Sequence, residues 1–92
     1  MEFIKEKNRI YAKDESGKIL ARVTFPESSP GVVSIDHTYV DDSLRGQGVA
    51  AQLMEACYDT LKADGRKAIP VCSYAVKWYG EHPEKSDVVA VE

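Results

Sequence analysis

The apolar positions of this chain first recur every second residue, then at helical spacing, and then briefly every second residue again. Phe3-Ile4 and then Arg9 to Lys13 read as a first strand region, interrupted near Lys7-Asn8. Asp14-Glu15-Ser16-Gly17 reads as a turn in which Gly17 supplies a left-handed conformation. From Lys18 to Phe25 the alternation is regular, with Ile19, Ala21, Val23 and Phe25 on one face and Lys18, Arg22 and Thr24 on the other. That is the signature of a half-buried antiparallel strand, and the two segments form a hairpin. Pro26 to Gly31 collects turn-formers and reads as a loop. Val32 to Val40 reads as one third strand. Val33, Ile35, His37 and Tyr39 share one face; Val32, Ser34, Asp36, Thr38 and Val40 share the other. Apolar residues on both faces predict a central strand covered on both sides.

The period then lengthens. Gln47 to Asp64 reads as the main helix, with Ala50, Met54, Cys57 and Leu61 on one stripe and Val49, Leu53 and Ala56 beside it. Asp64-Gly65 is a stop signal, with Gly65 as the left-handed residue beyond the helix. Lys67 to Cys72 reads as a short strand in which Pro70 removes one ladder donor and so marks an edge or a break in pairing. Ser73 is the expected cap of a second helix, Tyr74 to about Glu81, which His82-Pro83 ends. Ser86 to Glu92 is expected to form a last edge strand or a frayed tail. The order predicts an α/β fold: a small mixed sheet with helices packed on it, and one domain over residues 1–92.

Length and charge narrow the function classes. Ninety-two residues make one modest core. A net charge of −3 argues against a nucleic-acid partner, which calls for a basic surface. No apolar run reaches the ~18 residues of a membrane span, and the first residues lack an apolar signal core. A cytoplasmic location without a membrane partner is therefore the default. The state expected is a monomer or a weak dimer through an edge strand. The two cysteines lack metal-type spacing and read as free thiols, so no metal is expected.

Chemistry concentrates at the junction of the third strand and the main helix. Gly46 and Gly48 let backbone approach a ligand closely, because no Cβ intervenes. The first N–H groups of a helix lack internal partners and carry the positive end of its dipole, which suits phosphate. Arg45 adds a planar, permanently charged fork. The alternative is a tight strand-to-helix turn and nothing more. Gly46-x-Gly48-x-x-Ala51 also fits a dinucleotide fingerprint in form. However, the next strand ends at Cys72 rather than at the required acid, and the chain is too short for that fold. No Gly-Lys-Ser/Thr triplet follows, which excludes a Walker loop.

Arg45-Gly46-Gln47-Gly48-Val49-Ala50 resembles the (Gln/Arg)-x-x-Gly-x-(Gly/Ala) signature of the GNAT superfamily of acyl-CoA-dependent N-acetyltransferases. His37-Thr38-Tyr39-Val40, Ile69-Pro70-Val71-Cys72-Ser73-Tyr74 and His82-Pro83-Glu84 resemble its minimal single-domain branch, and the likeness runs from about Asn8 to Glu84. The resemblance implies a minimal GNAT fold in which two strands splay apart to admit the acyl-CoA arm. It implies acetyl transfer from acetyl-CoA to a primary amine of a small molecule or protein. The Arg45–Ala50 loop would hold the pyrophosphate, Tyr39 and Val40 would offer backbone groups to the pantetheine arm, and Ser73 and Tyr74 would also contact the coenzyme.

Cys72 is the sharpest candidate. It lies just before a predicted helix N-terminus, a position that favours thiolate. It is expected either to take the acetyl group, to act as acid or base, or to be a small buried hydrophobe closing the strand. His37 is a candidate general base or a structural histidine. Tyr74 is the aromatic whose hydroxyl could reach the sulfur, whereas Trp78 and Tyr79 read as sheet cover and Cys57 as core. Asp41 and Asp42 read as a solvated turn, and His82 as a helix-end cap. Two rival functions remain: a non-catalytic CoA or acyl-CoA sensor or carrier, and an interaction domain whose glycine loop is purely structural.

Overall fold

The structure, a computed structural model, describes residues 2–90. Two sheets meet along one segment of chain. The first is antiparallel, in the order β1 (Ile4–Lys5), β2 (Arg9–Lys13), β3 (Ile19–Thr24), β6 (His37–Val40). The second joins β4 (Glu27–Ser29), β5 (Val32–Ile35) and β7 (Lys67–Pro70), with β5 and β7 parallel. Helix α1 (Val49–Asp64) and helix α2 (Ser73–Glu81) complete the α/β fold, and Pro83–Val88 is a 3-10 helix.

The hairpin follows its sequence pattern. Ile10 pairs with Val23 and Ala12 with Ala21, and all four are buried on one face. The Asp14 carboxylate accepts the Ser16 and Lys18 N–H groups at 2.9 and 3.0 Å, which fixes the turn ahead of Gly17. Ile10, Val23 and Phe25 meet Leu53, Met54, Cys57 and Leu61 of α1, all with no exposed surface. Each large apolar side chain buried this way contributes roughly 1.5–3 kcal/mol. Gly65 takes φ 71° and, with Arg66, donates back to the last turn of α1, the expected stop.

The third strand is not one strand. Val33 and Ile35 are buried, whereas His37 and Tyr39, predicted on the same face, are exposed; Thr38 and Val40 turn inward instead. The change of parity occurs at Asp36, which behaves as an inserted residue and re-aims every side chain after it. The Asp36 N–H donates to Thr24 O at 3.2 Å, and its carboxylate accepts the Thr24 hydroxyl at 2.6 Å. The chain thus leaves the second sheet after Ile35 and joins the first at His37. β5 is central in its sheet, buried on one face and partly covered on the other, whereas β6 is exposed on its outer face.

Four smaller expectations also change. The expected loop Pro26–Gly31 contains β4, whose Glu-Ser-Ser sequence has little strand preference; pairing with β5 imposes it. Helix α1 starts at Val49, not Gln47, because Gly48 is left-handed (φ 70°). The cap of α2 is Cys72 rather than Ser73. In place of a strand from Ser86, the 3-10 helix runs to Val88, and Val89 makes one parallel bridge to Ala68. Val91 and Glu92 lie outside the described residues. No helix among the described residues is long and apolar enough to cross a membrane.

Candidate functional site

Splaying places two features on one short strand. β5 stays hydrogen-bonded to β7, and the Ile35 carbonyl accepts both the Val71 and Cys72 N–H groups at 3.0 Å. β6 pairs only with β3 within its sheet, so its other edge faces the gap with backbone groups free of ladder bonds. Thr38 and Val40 share the inward face of β6. Thr38 Oγ1 lies 3.4 Å from Cys72 Sγ, and Val40 lines the cleft at the glycine loop.

That cleft encloses about 220 Å³ between Val40, Leu44, Arg45, Gly46, Gly48, Val49, Ala50, Ala51 and Tyr74. The first internal bond of α1 is Gln52 N–H to Gly48 O, 3.1 Å, and no side chain among the described residues caps the helix. The N–H groups of Val49, Ala50 and Ala51 therefore point out of the helix end without internal partners. Gly46 and Gly48 have φ 79° and 70°, and a Cβ on either would meet nothing within 4 Å. Glycine is needed there for the left-handed backbone, and the surrounding space is open to a ligand. Arg45 is largely exposed and pairs with Asp42 at 3.0 Å, an interaction worth little in water.

The loop is pinned by Asp41. Its carboxylate accepts the Ser43 hydroxyl (2.6 Å), the Ser43 N–H (3.0 Å) and the Tyr39 hydroxyl (3.1 Å), with Lys18 Nζ at 3.3 Å. The Ser43 bonds, led by its hydroxyl, hold the acid far below the usual carboxylate range. Asp41 is thus an anchor rather than a solvated turn residue. Tyr39, committed to Asp41 through its hydroxyl, faces outward; only its backbone borders the gap.

Cys72 is half-buried and caps α2, with its sulfur accepting the Ala75 N–H at 3.4 Å. Ser73 is exposed beside it, and Tyr74 closes the cleft from the first turn of α2. His37 is exposed on the outer face of β6 and makes no side-chain hydrogen bond to Cys72 among the described residues. Gln47 is exposed and off the cleft, with its carbonyl accepting from Gln52. Val40, Arg45, Gly46, Gly48, Val49, Ala50 and Tyr74 therefore come together, whereas His37, Tyr39 and Gln47 point elsewhere. Thr38, Leu44 and Ala51 join the site unannounced. The polar run Asp36-His37-Thr38 inside a strand pattern was the signal for Thr38. Cys57 is fully buried, and burial pushes its thiol up to about 12. Among the described residues no cluster of three ligand-type side chains could hold a metal.

The family model for GCN5-related N-acetyl-transferases matches residues 9–88. The chain belongs to this family. A GCN5-like protein from Staphylococcus aureus, solved by NMR, superposes with a TM-score of 0.78 at 31% identity, over 99% of this chain and 90% of that one. The GNAT family N-acetyltransferase YhbS of Escherichia coli, in complex with CoA, gives a TM-score of 0.62 at 25% identity, over 75% of this chain and 42% of that one. Protein NATD1 of Mus musculus is 36% identical over 52 residues, 56% of this chain and 47% of the relative. The chain spans about half the length of the curated relatives it matches. The splayed strands, the glycine loop and α1 are accordingly those of a GNAT acetyltransferase fold.

Proposed function

We propose that this GNAT protein transfers an acetyl group from acetyl-CoA to a primary amine. One observation carries the reading: β6 has Val40 in the glycine-loop cleft and Thr38 against Cys72. A glycine-loop cleft suited to phosphate and a sulfur thus stand two residues apart along the free edge of β6.

The residues present fit the coenzyme. Arg45, Gly46, Gln47, Gly48, Val49 and Ala50 form the loop that would hold the pyrophosphate, using the three free N–H groups of α1 and the exchangeable Arg45 fork. The cleft, about 220 Å³, is smaller than the roughly 300–1,000 Å³ of a whole-ligand pocket, which suits the phosphates alone. The free edge of β6 at Tyr39 and Val40 offers backbone partners to the amide-bearing arm, as a strand would. YhbS, a family member in complex with CoA, supports the same coenzyme here.

Bound acetyl-CoA would supply the acyl group as a thioester. Cys72 either attacks it as nucleophile, expelling the CoA thiol and then passing the acyl group to the amine, or serves as acid or base while the amine displaces the CoA thiol directly. The Ala75 N–H and the Thr38 hydroxyl hold its sulfur, with Ser73 and Tyr74 beside it. His37 is the candidate base for the amine, open to an acceptor arriving from solvent.

Calorimetric titration of acetyl-CoA and CoA into the wild type and Arg45→Ala tests the reading. Micromolar binding that weakens by about tenfold in the variant supports it (about 1.4 kcal/mol). No heat at millimolar ligand removes it. A second reading is a CoA or acyl-CoA sensor without turnover, favoured by the missing hydrogen bond between His37 and Cys72. Product formation with a panel of amines separates the two.

A further inference from the structure

The outer face of the first sheet carries a larger concavity, about 590 Å³, that shares no lining residue with the glycine-loop cleft. Lys7, Asn8, Arg9, Thr24, Pro26 and Asp36 line it, together with Glu6. It borders the point where the strands part. Asp36 follows Ile35, whose carbonyl closes the gap, and precedes His37. Arg9, Thr24 and His37 form one cross-strand row on this face. β6 rises about 3.3 Å per residue, so His37 lies about 10 Å along the strand from Val40 in the glycine-loop cleft, and Asp36 is the next residue beyond it. An arm laid along β6 from that cleft would end beside Asp36 and His37.

The charges around the concavity are specific. Glu6 is committed to Arg9. Asp36 accepts the Thr24 hydroxyl through Oδ1 at 2.6 Å and has no cation within ion-pair distance among the described residues. Its second oxygen is open to an ammonium group. Arg9 is neutralised by Glu6 in turn, so Lys7, on the same lining, is the cation that repels a second cation and attracts an anion.

We propose that this concavity receives the acceptor, as a primary amine whose far end is neutral or anionic, with Asp36 holding the incoming ammonium until it gives up a proton to His37 and the free amine can attack. The assignment rests on the acetyltransferase reading above. Polyamines are poor acceptors on this account.

The test uses the full chain with 4-aminobutyrate, 1-butylamine and 1,4-diaminobutane. The expected KM order places the diamine highest. Asp36→Asn keeps an acceptor for Thr24 and is expected to raise KM for 1-butylamine by about tenfold or more, the loss of a charge-assisted contact, with acetyl-CoA affinity unchanged. Lys7→Glu, at an exposed position, is expected to shift preference toward the diamine. Amide shifts on titrating 4-aminobutyrate should fall on Asn8, Thr24 and Asp36 and spare Gly46 to Ala51. An unchanged KM in Asp36→Asn, a diamine preferred by the wild type, or shifts confined to the glycine loop overturns the proposal. The two readings fail separately. Without turnover, amide shifts at Asn8, Thr24 and Asp36 still support the amine site and sink only acetyl transfer; turnover with KM blind to Asp36 does the reverse.

Discussion

Thr38 Oγ1 stands 3.4 Å from Cys72 Sγ, so β6, once it has left the second sheet at Asp36, is tied by a side-chain contact to the residue that caps α2. The sulfur also accepts the Ala75 N–H at 3.4 Å. Two groups therefore orient one half-buried sulfur. Thr38→Val keeps the volume and removes the hydroxyl. It should lower stability by about 1 kcal/mol or less, the net value of one hydrogen bond. If Cys72 handles the acyl group, kcat should fall by roughly tenfold with acetyl-CoA affinity unchanged, and Thr38→Ser should restore most of it. Equal kcat in Thr38→Val and wild type would separate Thr38 from the chemistry.

The importance of that contact was hidden in the sequence by a single residue. The hairpin, the main helix, the stop at Gly65 and the glycine loop were all legible, because each rests on local periodicity or on a backbone conformation that favours glycine. The break at Asp36 was not. Val32 to Val40 alternates well enough to pass for one strand, and only tertiary pairing with two different sheets shows the extra residue. Reading through it put His37 and Tyr39 on the buried face and hid Thr38. β4 was illegible for a related reason, since Glu27-Ser28-Ser29 becomes a strand only by pairing with β5. The shift of the α2 cap from Ser73 to Cys72 follows from sulfur accepting where a hydroxyl was expected.

The two cysteines should respond oppositely to alkylation. Cys57 is fully enclosed in the core, and burial holds its thiol up at about 12, so almost no thiolate forms near neutral pH. Cys72 is half-buried at the mouth of the gap. Iodoacetamide on the native protein should label the Cys72 peptide and spare the Cys57 peptide by mass spectrometry, with denaturant equalising them. Acetyl-CoA should protect Cys72. Labelling of Cys57 at the native rate of Cys72 would contradict the packing of α1.

Gly48 should be intolerant for a backbone reason alone. Its φ of 70° is left-handed, and a Cβ would meet nothing within 4 Å. Gly48→Ala therefore adds no clash and forces an unfavourable conformation costing about 1–2 kcal/mol. Gly48→Asn should cost less, because asparagine tolerates that region. Both should weaken acetyl-CoA binding, whereas Gly65→Ala, at a left-handed glycine (φ 71°) beyond the other end of α1, should lower the melting temperature and leave acetyl-CoA affinity unchanged. Equal affinity in wild type and Gly48→Ala would remove the loop from the phosphate role.

Asp41 should make acid stability depend on the glycine loop. Its carboxyl is held well below the ordinary range by the Ser43 hydroxyl, then by the Ser43 N–H and the Tyr39 hydroxyl. A carboxyl lowered in the folded state stabilises the fold above its unfolded pKa, near 3.9. That contribution is lost as pH falls below about 4 toward the folded value. Asp41→Asn removes the charge at every pH. The variant should therefore melt below the wild type at neutral pH, and the gap should narrow as pH falls from about 4 to about 2. Asp14, Glu84 and Asp87 are lowered as well, by their own hydrogen bonds, but they are present in both proteins and cancel in the difference. A gap that stays constant down to about pH 2 would mean that Asp41 supports the loop through shape and not through its charge.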